Sequence, residues 1–219
     1  GADPRHAQFR LSAEELQARV QRLRRALAEP EVTARARAAV AAAGLDPGEQ
    51  AFDVVRLRAV THDGHLLPAA APAYTAHRDT WYANPRAQIN WWIPVHDVAE
   101  EETFWCYPDL FARPVANTSH EFDWAEWKRQ AGFQNPARDA RAIYPTVREE
   151  PVGPRGFACP AGAVVVFSAA HLHRTRPNRT GRTRFSLDFR TVHRGDHALG
   201  LGAPDVDNRS TGCTLEEYA

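Results

Sequence analysis

The chain reads as a mainly β protein with flanking helices, a β-barrel or jelly roll buttressed by helices near its start. Three observations predict this. Helical periodicity fills the stretch up to Gly44, five short segments rich in β-branched and aromatic residues follow it, and Pro, Gly and Asn punctuate the gaps. Helices first and strands afterwards argue against a βαβ repeat. With 219 residues, 43% of them hydrophobic and 25% charged, one substantial core is expected. The expectation is therefore a single domain over 3–219: a helical part at 10–45, a barrel core at about 52–193 and a tail at 194–219.

Each element has a local cause. Ser12 and Glu15 form a capping box, and Leu16, Val20, Leu23 and Leu27 then recur on one helical face. Pro30 is expected to stop that helix, and an alanine-rich second helix runs from about Glu31 to the breaker Gly44. Strands are expected at Phe52–Val60, Gln88–Val95, Thr103–Tyr107, Ala163–Ser168 and Thr183–Val192. An insertion from Pro108 to Pro154 interrupts them and carries the amphipathic segment EFDWAEWKRQAGF. Its Trp124 and Trp127 share a face that docks on the barrel, closes over a site, or meets a second copy of the chain in a homodimer.

Composition limits the partners. The 27 basic and 27 acidic residues cancel, so no global field favours a nucleic acid or an anionic membrane, and a small-molecule substrate is expected instead. No apolar run approaches the ~18 residues of a membrane span. Cys106, Cys159 and Cys213 are widely spaced and form no C-x-x-C, which fits reduced thiols in a cytoplasmic protein.

The stretch AHRDTWYAN, Ala76 to Asn84, carries H-R-D, four residues and Asn, as a kinase catalytic loop does. A kinase also needs a glycine-rich loop, a strand lysine and D-F-G. The only lysine is Lys128, after the motif, and the nearest match to D-F-G is Asp188-Phe189-Arg190. The kinase reading fails, and Arg78 and Asn84 are then incidental to whatever the stretch does.

The same letters set His77 and Asp79 two apart, which on a strand puts both on one face. With 10 His and 13 Asp in the chain, roughly 0.6 such pairs arise by chance, so a third ligand is required. His171 and His173, just beyond the apolar run Ala163 to Phe167, offer one. Two imidazoles and a carboxylate hold Fe(II) on one face and leave positions open for O2. After ten intervening residues, His173 is followed by Arg184 and, two further on, Ser186, sharing a strand face suited to a carboxylate.

These motifs, H-x-D, a distal His and R-x-S, resemble the Fe(II)/2-oxoglutarate-dependent oxygenases, most closely the phytanoyl-CoA-dioxygenase-like group. The likeness spans about Tyr74 to His193 and includes QINWWIPVHDV and the P-N before the arginine. It implies a double-stranded β-helix (jelly-roll, cupin-like) core. It also implies Fe(II) held by His77, Asp79 and His173, with 2-oxoglutarate anchored by Arg184 and Ser186. The implied reaction takes O2, releases succinate and CO2, and hydroxylates a small molecule. His173 is preferred to His171 on the family's spacing to the arginine, and the carboxylate of Asp79 argues against halogenation.

Other residues stay open at this level. Gln88, Asn90 and Trp92 alternate with Ile89, Trp91 and Ile93. If the polar set faces inward, Asn90 or Gln88 bonds the near carboxylate of 2-oxoglutarate; if outward, both are solvated. Arg190 contacts a ligand or forms a surface salt bridge, and Trp81, Tyr82 and Trp105 line a pocket or fill a core. Two alternatives remain: a cupin-type metalloenzyme without 2-oxoglutarate, disfavoured by R-x-S, and a catalytically silent binding barrel, disfavoured by the triad.

Overall fold

The computed structural model describes residues 2–130 and 144–219. Residues 131–143 of the expected insertion, including the end of its amphipathic segment, lie outside the described residues.

Helix α1 (Ala13–Ala26) starts at the Ser12–Glu15 capping box, with both reciprocal bonds formed. It buries less than its pattern predicts: Val20 is buried, whereas Leu23 stays 54% exposed. The helix ends before Pro30, which instead opens helix α2 (Pro30–Ala42) at its first turn. Proline suits that position because the N–H it lacks has no intrahelical partner there. Gly44 follows at φ +85°, the left-handed turn that ends the helix.

The strands are β1 (Gln50–Phe52), β2 (Arg56–Val60), β3 (Gln88–Pro94), β4 (Phe104–Cys106), β5 (Val165–Ser168), β6 (His173–Thr175) and β7 (Arg184–His193). β7 and β3 form the centre of an antiparallel sheet ordered β1–β7–β3–β5, with β2 also on β7. The single strand expected at Phe52–Val60 is two. Phe52 pairs with Thr191 and Arg56 with Asp188, so three residues of one strand face two of the other. This is a bulge, and it turns the Asp53 carboxylate onto the Arg56 guanidinium. A second, two-stranded sheet pairs β4 with β6. An isolated bridge from His77 to His173 extends it.

Alternation decides which side of the large sheet becomes the interior. Trp91 and Phe189 are register partners on the outer face, stacked at 5.5 Å, and with Phe52 they pack against Ala36 and Val40 of α2. Gln88, Asn90 and Trp92 point the other way, toward the small sheet. There Trp92 meets Phe104 of β4 edge to face at 5.4 Å, and Phe157 and Phe167 complete the apolar layer between the sheets. The same inner face receives Arg184, Ser186, Asp188 and Arg190 from β7 and Arg56 and Arg58 from β2. The interior is therefore apolar at one end and strongly charged at the other.

The short helix α3 (Trp124–Arg129) docks through Trp127, which packs with Ala83 and Phe122 beside Tyr82, Trp124 and Tyr144. Helix α4 (Arg194–Ala198) follows β7, and the chain then returns along the 77–84 segment. Among the described residues, no helix is long and apolar enough to cross a membrane.

Candidate metal centre

His77 and His173 face each other across a pair of reciprocal backbone hydrogen bonds, each 3.0 Å long. Asp79 is not on a strand, as its spacing suggested, but opens a 3-10 turn, Asp79–Tyr82. The intervening Arg78 is extended, at φ −103° and ψ 141°. That single extended residue suffices to send His77 and Asp79 to one side and Arg78 to the other. Asp79 Oδ1 lies 3.6 Å from His77 Nε2 and 4.0 Å from His173 Nε2. All three ligand atoms fall within 4.8 Å of one another.

The backbone selects the tautomers. His77 Nδ1 lies 2.8 Å from Thr75 O and His173 Nδ1 2.9 Å from His171 O. A carbonyl only accepts, so both Nδ1 atoms carry the proton and both Nε2 lone pairs face Asp79. Burial pulls the His173 imidazole down to about 4, with the His77 ring adding to the effect. A neutral imidazole is the form a metal needs. Burial also works against the Asp79 carboxylate, but the Arg190 guanidinium opposes it, and the group is held well below the ordinary carboxylate range. Two imidazole Nε2 atoms and one carboxylate make up a donor set suited to a divalent ion of the Fe(II) type.

Asn90 and Gln88 face inward, where they hold Asp79. Asn90 Nδ2 donates to Asp79 Oδ2 at 2.6 Å, and Gln88 Nε2 donates to the same oxygen at 3.3 Å and to Asn90 Oδ1 at 2.8 Å. Tyr218 completes the run by donating to Gln88 Oε1 at 2.6 Å. The observed partner of both amides is the Asp79 carboxylate, where the sequence had left open the near carboxylate of a cosubstrate or solvent.

Arg78 and Asn84 are not incidental. Arg78 is fully buried, pairs with Asp207 at 3.1 Å and donates to the carbonyls of Ala170, Leu110 and Arg113. It ties the turn before His173 to the chain beyond residue 200. Asn84 donates to Asp79 O at 2.8 Å and accepts from Thr214 Oγ1 at 2.7 Å. Between them Ala83 sits at φ +60°, a strained value for alanine, held by Ser210 and Thr214. These partners lie about 130 residues away in sequence, and no local pattern announces them.

Arg184 and Ser186 are buried on the inner face of β7. Arg184 Nε and Ser186 Oγ have no hydrogen-bond partner among the described residues. The neighbouring Glu102 carboxylate is taken by Arg182 at 2.8 Å, and Arg184 stacks 5.6 Å from the Trp92 ring. Burial draws the guanidinium down to about 10, with the Arg58 charge adding to the effect. Arg184 Nη1 donates only to the Glu102 carbonyl, at 3.5 Å, and among the described residues no carboxylate pairs with it; a buried cation so placed is costly unless an anion arrives to meet it. Arg184 shares a cavity of about 460 Å3 with His77, Asp79, His173 and Asn90. Asn178 shapes the approach, bonding Val60 O and Arg182 O at the turn before β7.

No protein-family model matches the chain, and no curated protein does. Solved structures resemble it. EvdO2 from Micromonospora carbonacea var. aurantiaca is 15% identical with a TM-score of 0.47, over 79% of this chain and 64% of that one. EvdO2 complexed with 2-oxoglutarate is 16% identical, TM-score 0.46, with the same coverage. SnoN, a non-heme alpha ketoglutarate dependent epimerase from nogalamycin biosynthesis, is 12% identical with a TM-score of 0.38, over 77% of this chain and 63% of that one. The chain thus spans 64% of the length of EvdO2. At such identities the chemistry must be argued from the site's own geometry.

The remaining candidates separate. His171 contributes its carbonyl, while its ring stacks on Phe111 at 4.3 Å. Trp81 is core, fully buried and bonded to Asp207. Trp105 lies under the guanidinium groups of Arg174 and Arg176, away from the triad's cavities. Tyr82 does line a cavity, its ring edge-on to His77 at 5.3 Å. Arg190, which sequence left between ligand and surface, faces the interior beside Asp79.

Proposed function

We propose that the chain is a non-haem Fe(II)- and 2-oxoglutarate-dependent oxygenase that hydroxylates an unactivated C–H bond of a small molecule. One observation carries the reading: a two-histidine, one-carboxylate set, with Asp79 buried and both histidines half-buried, opens onto the same cavity as an arginine whose buried Nε has no partner among the described residues. The two antiparallel sheets facing each other support a double-stranded β-helix, jelly-roll core for it.

In this reading His77, Asp79 and His173 would hold Fe(II), and Arg184 with Ser186 would bind the far carboxylate of 2-oxoglutarate. When bound, metal, cosubstrate and O2 together supply the oxidant, with succinate and CO2 released. The chain's own groups do the positioning. Thr75 O and His171 O fix the imidazole tautomers, and Asn90 and Gln88 hold Asp79 Oδ2 so that Oδ1 stays turned to the histidines. Trp92, Phe104 and Phe167 wall the cavity and keep water from the cosubstrate end.

The test is an anaerobic titration with Fe(II) and 2-oxoglutarate, followed by the metal-to-ligand charge-transfer band. The band is expected with the wild type and at far higher 2-oxoglutarate with Arg184→Ala. Its absence from the wild type refutes the proposal.

A further inference from the structure

A second cavity, of about 540 Å3, meets the first at His77 and Asp79. The first contains Arg184 and His173; the second does not. Aromatic side chains form one wall of the second cavity, Tyr82, Phe122 and Trp127 among them, packed on one another at 5.7–5.8 Å. Charged groups of β2 and β7 form the other.

Among the described residues, those charges do not balance. Arg58 is matched by Asp188 through two bonds, 2.7 and 3.1 Å. Glu217 on the rim is matched by Lys128 at 3.4 Å. Arg56 and Arg190 share one carboxylate: Asp53 is bonded by both Arg56 Nη atoms, while Arg190 reaches it only at 3.8 Å. Asp79 also faces Arg190, but under the proposed function its charge goes to the metal. Fe(II), Asp79, the 2-oxoglutarate dianion and Arg184 would then sum to zero, leaving one uncompensated positive charge on the second cavity, at Arg190.

We infer that the second cavity takes a small organic monocarboxylate with an aromatic or apolar body, its carboxylate on Arg190 and its body on the Tyr82–Phe122–Trp127 wall. This rests on the proposed function for the balance of charge at Asp79. The guanidinium fork matches a carboxylate in two bonds, and the low-polarity wall strengthens them. A cationic substrate meets a like charge, and a neutral one leaves Arg190 poorly paired.

The experiment compares 3-phenylpropanoate with its neutral amide and the corresponding amine, by calorimetry on the chain loaded anaerobically with Fe(II) and 2-oxoglutarate. The carboxylate is expected to bind about tenfold or more tighter than the amide, and the amine weakest. Arg190→Gln removes the preference and leaves the amide's affinity in place. Asp53→Asn widens the preference, because Arg190 loses its partial partner. That opposite sign is one a folding defect in Arg190→Gln does not produce. Equal binding of carboxylate and amide to the wild type overturns the inference, as does a preference that survives Arg190→Gln or fails to widen in Asp53→Asn. If no charge-transfer band forms, the oxygenase reading fails, and this inference falls with it because Asp79 is then left to answer Arg190. A band without carboxylate preference leaves the oxygenase reading standing and sinks this one.

Discussion

Asn90 donates its side-chain amide to Asp79 Oδ2 at 2.6 Å, so the carboxylate is anchored through one oxygen and presents the other to His77 and His173. A ligand held in this way loses little freedom when a metal arrives. Asn90→Ala should therefore weaken Fe(II) or Co(II) binding by about 10- to 100-fold while leaving His77 and His173 in place. Tyr218→Phe, which removes the outer end of the same run, should have a smaller effect in the same direction. Metal titration of both variants checks the order.

Arg184 and Ser186 should respond differently. Arg184→Ala removes a charge-assisted carboxylate contact and should raise the 2-oxoglutarate concentration needed for the charge-transfer band by about tenfold to a hundredfold. Ser186→Ala should cost affinity without costing stability. Its buried Oγ has no partner among the described residues, so deleting the hydroxyl relieves a desolvated group, and the metal-free chain should be unchanged or up to about 1 kcal/mol more stable. A marked loss of stability in Ser186→Ala would mean that the hydroxyl has a structural partner.

The metal-free protein should lose stability in mild acid through His173. Its imidazole titrates near 4 when folded because burial resists the charge, against 6.5 when unfolded. Above 6.5 both states are neutral and nothing changes. Between 6.5 and 4 the unfolded chain takes up a proton that the folded chain refuses, so stability falls as pH falls. The loss reaches about 2 kcal/mol by pH 5. Asp79, held far below the carboxylate range, adds nothing in that window. Urea midpoints at pH 7 and pH 5 measure the slope, and His173→Gln should flatten it.

Arg78 is predicted to matter to folding more than its neighbours suggest. Replacing it by Met leaves Asp207 buried without its guanidinium partner and removes a donor from the carbonyls of Ala170, Leu110 and Arg113. The cost should be about 3–5 kcal/mol, read as a drop in the denaturation midpoint. An Arg78→Met chain as stable as wild type would show that the guanidinium is not the clamp its contacts imply.

How much of this was legible in the sequence follows from the range of each interaction. The cap of α1 is written locally, because a serine hydroxyl and a glutamate three residues on meet within one turn. The order His77-x-Asp79, His173 and Arg184-x-Ser186 was also readable, because extended backbone returns every second side chain to one face whatever the strand packs against. The strands on β7 were placed but not divided. The bulge at Asp53 depends on register with a strand more than a hundred residues later.

By itself, then, the sequence determined which residue types could share a face and in what order they come. The tertiary structure decided which face became the interior and who answers each polar group there. Alternation alone could not say whether Asn90 meets water or Asp79, since either face of β3 could have turned to α2. Trp91 and Phe189 against Val40 settled it, by filling the outer side with apolar bulk. Arg78, Asn84 and Gln88 became parts of the site for the same physical reason: buried polar groups need partners. Theirs are Asp207, Thr214 and Tyr218, which only the folded chain brings within reach.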